Sequence, residues 1–99
     1  KVEESRELLT LQVTQARQKL MEAQQNVVLA DLNLKNADQV LHMAQESFDA
    51  GMVAVGDLMQ AQTAWLSAST DRIDALVNLQ MATATLQKYT GTLITENLQ

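Results

Sequence analysis

The chain predicts an all-α fold, a single long antiparallel helix-turn-helix hairpin with alanine heptads. Three observations predict it. Of 99 residues none is Pro, three are Gly and only 3% are aromatic. Sheets and tight turns need Gly and Pro repeatedly, and aromatics usually dominate compact cores by area. Apolar residues also recur at alternating steps of four and three over most of the length, the spacing of a helix in a left-handed coiled coil. Finally, the one short break in that spacing carries a helix stop followed by a helix start.

The first helix is expected over about residues 3–50. Its seam reads Leu9, Val13, Ala16, Leu20, Ala23, Val27, Ala30, Leu34, Ala37, Leu41, Ala44, Phe48. One seam slot per heptad is alanine, and the other is large from Val13 to Phe48. The pattern stops at Phe48-Asp49-Ala50-Gly51, where Gly51 suits the left-handed residue just past a helix end. Residues 51–56 form the tip. The second helix is expected over about residues 57–90. Asp57 stands as its N-cap, with Gln60 completing a capping box, and Gly91 follows as the next stop. Its seam is Leu58, Ala61, Trp65, Ala68, Arg72, Ala75, Leu79, Ala82, Leu86, Tyr89. Alanines in matching slots allow close approach of the two backbones, with large residues filling the alternate layers.

At ~1.5 Å per residue the expected helices are roughly 70 Å and 50 Å long. The mismatch leaves about the first fifteen residues without a partner, so Leu9 is expected to face water. Both helices carry apolar residues off the seam: Leu29, Leu32, Val40 and Met43 on the first, Leu66, Ile73 and Val77 on the second. A two-helix hairpin has no use for a second stripe. The chain is therefore expected to belong to a larger helical assembly, as one piece of a larger protein, and to self-associate when alone.

Charge narrows the function. Twelve acids and seven bases leave a net charge of −5. The imbalance falls within residues 36–71, at Asp38, Glu46, Asp49, Asp57 and Asp71, where there is no Lys or Arg. A negative tip with near-neutral shafts is a poor match for nucleic acid, whose phosphates need clustered bases. No stretch approaches the roughly 18 apolar residues of a membrane span, and residue 1 opens directly into a polar helical pattern rather than a secretory leader. Without cysteine there are neither disulfides nor thiolate metal sites.

Little in the chain points to chemistry. Asp38, His42 and Glu46 share one helical face at i, i+4 and i+8, a spacing that suits a metal. The plainer reading is a solvated His beside Glu46, and no metal or cofactor is expected. Trp65 reads as core. Arg72 in a large seam slot is expected to snorkel or to meet an acid. No nucleophile–base set, phosphate loop or paired carboxylate cleft is present, so the protein is not expected to be an enzyme. Met52 and Val53 are apolar residues on an exposed tip, which marks a contact surface.

The run from Phe48 to Gln62 resembles the helix-turn-helix tip of the TolC family of outer-membrane efflux proteins. The shared pattern is an aromatic, two residues, Gly, six residues ending in Asp, then Leu, with Ala-Gln just after; here these are Phe48, Gly51, Asp57, Leu58 and Ala61-Gln62. The interval from Asp57 to Gly91 and the stretch around Leu11-Gln12-Val13 are similar too, so the resemblance covers nearly the whole chain. It implies a homotrimer whose duplicated protomers build an outer-membrane barrel and a periplasmic tunnel, or α-helical barrel, in a Gram-negative bacterium. It implies docking of the tip, at Gly51, Met52, Val53 and Ala54, onto a periplasmic adaptor protein, with an inner-membrane pump completing a tripartite efflux or type I secretion system. Exported small molecules or proteins would be transient cargo. Asp57 matches the first acidic ring residue of the pore mouth, while the second such position is Gln60. The family's C-terminal repeat has Tyr and Arg where Phe48 and Val53 stand, so those polar latches are missing. The Gly91-Thr92-Leu93 close is like the C-terminal repeat, and the run Gly51 to Val55 is like the N-terminal one. Two other readings fit a helical hairpin: the hairpin of the adaptor (membrane fusion) protein itself, whose tips carry Arg, Leu and Ser, or an unrelated structural coiled coil.

Overall fold

The structure is a computed structural model that describes the backbone of residues 2–98 and the side chains of residues 3–95. It consists of two α-helices, α1 (Val2–Asp49) and α2 (Val55–Leu98), with no strand among the described residues. The fold is all-α, a helical hairpin, as the heptads and the composition predict. α1 ends within one residue of the expected place. Acidic Glu3 and Glu4 lie in its first turn, where they complement the positive end of the helix dipole.

The second helix differs from expectation at both ends. It begins at Val55, so Asp57 is its third residue rather than its N-cap, and the Asp57–Gln60 capping box does not form. The amide of Asp57 donates to the carbonyl of Ala54 at 3.1 Å, which closes the first turn. Ala54 has no side-chain oxygen to signal a cap. At the other end α2 passes through Gly91 and continues to Leu98. Gly91 is not a stop: among the described residues only Gly51 has positive φ. The two threonines beside it turn their hydroxyls back to the helix, as threonines elsewhere in the chain do. Thr92 donates to the carbonyl of Lys88 and Thr95 to that of Gly91, each at 2.9 Å. Satisfied in this way, threonine stays within the helix instead of competing with it.

The helices are therefore nearly equal, at 48 and 44 residues, and the expected overhang disappears. The chain forms two compact units. The terminal unit pairs the stretch up to Asn26 with the stretch from Leu76. Leu9, Val13, Ala16 and Ala23 are buried in it, and Ala82, Leu86, Tyr89 and Leu93 are half-buried. Leu9 thus packs instead of facing water.

The turn unit comprises Val27–Ala75. Ala30, Leu58, Ala61, Ala68 and Ala75 are buried, and Leu34, Leu41, Phe48 and Trp65 are half-buried. Most of the covered residues are small, Leu58 being the exception, while Ala37 and Ala44 nearer the turn are half-buried. A methyl group fits under the partner helix, whereas most larger side chains project past it and two helices cannot enclose the rest. No described side chain is completely buried and none that is polar is buried. The off-seam residues Leu29, Leu32, Val40, Met43, Leu66, Ile73 and Val77 are all exposed.

Candidate functional site

The turn is built from α1 outward. The last turn of α1 leaves carbonyls without helical donors, and two amides reach back to them. Gly51 donates to Phe48 at 2.9 Å and Met52 to Ser47 at 2.8 Å. This 5→2 and 6→1 pair is a Schellman closure and requires a left-handed residue. Gly51 supplies it with φ 73°, a conformation that side-chain-bearing residues adopt only with strain. The backbone at Met52 is thereby held, while its side chain is left free: Met52 is 79% exposed. Val53 is half-buried against the hairpin end, and Ala54 is exposed.

Carboxylates flank this apolar point in the sequence, Asp49 before it and Asp57 after it. Asp49 accepts from Gln45 Nε2 at 3.1 Å. Asp57 lies in the first turn of α2, where its charge favours the helix dipole. His42 Nε2 is 3.0 Å from Glu46 Oε1, both side chains largely exposed. Asp38, the third member of the face considered for a metal, turns instead to α2 and accepts from Trp65 Nε1. Among the described residues no three His, Asp or Glu side chains converge on an ion position.

One side chain departs from its sequence reading, and another takes one of the two courses expected of it. Trp65 is not simply core, because its indole N–H reaches across to Asp38. Arg72 meets Asp31 of α1, Nε to Oδ1 at 2.5 Å, with 43% and 51% of the two side chains exposed. The partners are far apart in sequence, and the only trace they leave there is spacing: Asp31 and Asp38 are seven residues apart, as are Trp65 and Arg72. The hairpin is also not without concavity. A groove of about 320 Å³ in the terminal unit is lined by Ala16, Lys19, Ala23, Asn78, Met81 and Ala82, a furrow left where alanines replace bulk. A second groove, in the turn unit, is bordered by Asp38, Leu41, His42, Gln45 and Gln62. Neither assembles a nucleophile with a base.

Such an arrangement presents surfaces for contact: an apolar turn flanked by carboxylates and unpartnered apolar stripes, on helices too polar to cross a membrane among the described residues. The chain matches the family model for outer membrane efflux protein over residues 2–92, and it belongs to that family. No curated protein and no solved structure matches it. Membership makes it a component of an outer-membrane efflux channel, in a family whose work is transport rather than enzymatic chemistry. It also sets aside the adaptor-hairpin and unrelated coiled-coil readings.

Proposed function

We propose that the hairpin forms part of the periplasmic wall of a trimeric efflux conduit and that its turn docks onto a periplasmic adaptor protein. The inner-membrane pump completes the assembly, and small molecules or proteins pass as transient cargo. Gly51, Met52, Val53 and Ala54 form the docking tip, and Asp57 contributes one acidic position at the pore mouth. The exposed stripes on α1 and α2 pack against neighbouring helices of the channel and drive self-association when the chain is alone.

The observation that carries this reading is the free apolar side chain of Met52 on a turn whose backbone is already satisfied. The Schellman closure does not use the thioether, and exposure of a large apolar group on a rigid turn favours contact with a partner. A Met52→Glu substitution in the full-length protein tests the docking role. It places an unpaired charge in an apolar contact and adds a like charge to a segment holding five acids and no bases, which weakens association many-fold. Normal helicity and outer-membrane level, with loss of export and of adaptor cross-linking, are expected. Wild-type export at normal expression would remove the turn from the docking surface.

A further inference from the structure

Two polar ties cross the turn unit, and they repeat one geometric relation. Arg72 donates to Asp31 and Trp65 to Asp38. One step of seven residues forward on α1 and seven back on α2 converts the first tie into the second. The packed seam contains no comparable information. Alanine recurs every seven residues on both helices, at 30, 37 and 44 and at 61, 68 and 75. Sliding one helix by a heptad, about 10.5 Å, carries each of these alanines onto the place of the next. The large residues between them are mostly half-buried, so their shapes discriminate weakly.

The ties do discriminate. A heptad slip in one direction brings Asp38 to Arg72 and leaves Asp31 and Trp65 without partners. A slip in the other direction brings Asp31 to Trp65 and strands the other two. Only the observed register keeps both. Gly51 adds a local preference, because moving the turn asks a residue with a side chain to take its left-handed φ. Polar contacts made from seam positions, as Trp65 and Arg72 make them, are an established means of setting helix register where apolar packing is degenerate. We infer that Asp31, Asp38, Trp65 and Arg72, together with Gly51, select the register of the hairpin, and that the alanine seam does not. The inference needs only the fold and stands whether or not the turn docks on a partner.

Cysteine pairs introduced into the full chain read the register directly, since the sequence has no cysteine of its own. Ala37→Cys with Ala68→Cys reports the observed register. Ala37→Cys with Ala61→Cys, or with Ala75→Cys, reports a slip of one heptad in either direction. A disulfide needs Cα atoms within about 7 Å, less than the slip displaces them. With Gly51→Ala alone, only the first pair is expected to close. With Gly51→Ala, Asp31→Ala and Trp65→Phe together, a slipped pair should rise at least tenfold in yield at unchanged helicity. Cross-linking of the observed pair alone in that triple variant would overturn the inference, as would slippage from Gly51→Ala by itself. Should the triple variant lose helicity, a charge exchange decides. Arg72→Asp sets two acids against each other and should slip, and adding Asp31→Arg should restore the observed pair; failure of either step refutes the role.

Discussion

The alanine seam yields the sharpest test of the packing. Ala30 and Ala75 are 7% and 8% exposed, each covered by the opposite helix of the turn unit. Leucine at either place adds three heavy atoms where the helix backbones approach closely. The atoms cannot be accommodated without moving the helices apart or forcing a side chain off its rotamer, and such overpacking costs about 1–3 kcal/mol. Leucine is nearly as good a helix former as alanine, so propensity contributes little. For a domain of this size about 1 kcal/mol shifts the melting temperature by ~4–8 °C, so Ala75→Leu should lower it by roughly 5–20 °C. The matched control is Ala64→Leu, the same chemical change at an exposed position of the same helix, with Gln24→Leu as its counterpart on α1. Exposed substitutions stay within about 0.5 kcal/mol. Thermal melts followed by circular dichroism at 222 nm compare the four variants. Equal melting of Ala75→Leu and Ala64→Leu would show that the helices have room between them, and the close-packed seam would be wrong.

Glycine offers an independent contrast. Gly51→Ala is expected to destabilise by about 1 kcal/mol because its φ of 73° strains any side chain, although nothing lies within 4 Å of an added Cβ. Gly91→Ala meets equally open space inside α2 and should stabilise by about 0.5–1 kcal/mol; urea melts that moved both variants the same way would contradict these two backbone assignments. Phe48→Ala should lower the melting temperature, unlike Met52→Glu, because Phe48 packs in the last seam layer. Sedimentation of the chain alone at ~100 µM should report a dimer or larger species: covering ~600 Å² of the exposed stripes at about 25 cal/mol per Å² offsets the cost of association. A fully helical monomer there would argue that the stripes need a different partner.

Fold class and the position of the turn were legible in the sequence because both are local. A heptad is read within a few residues, and Gly51 ends α1 by its own conformational freedom, with Phe48, Ser47 and Met52 immediately beside it. The apolar character of Met52 was equally plain, since it is a property of the residue itself, and the side chain stays exposed in the fold.

Helix ends and long-range partners were decided elsewhere. Gly91 and Asp57 look like a stop and a cap when read locally, and each lost to its setting. The surface of α1 around Leu9 and Val13 was available for α2 to cover, so the helix continued through Gly91. At Asp57 the backbone of Ala54 opened the helix without any side-chain signal. The ties from Arg72 to Asp31 and from Trp65 to Asp38 depend on which residues of the two helices stand level with each other. A seven-residue repeat of alanine leaves that relation undetermined over short distances. The sequence alone determined two amphipathic helices and the glycine at which they reverse, because dihedral preference and periodicity act within a few residues. The tertiary structure decided where α2 begins and ends and which acid meets Trp65 and Arg72, because those follow from the register of one helix against another.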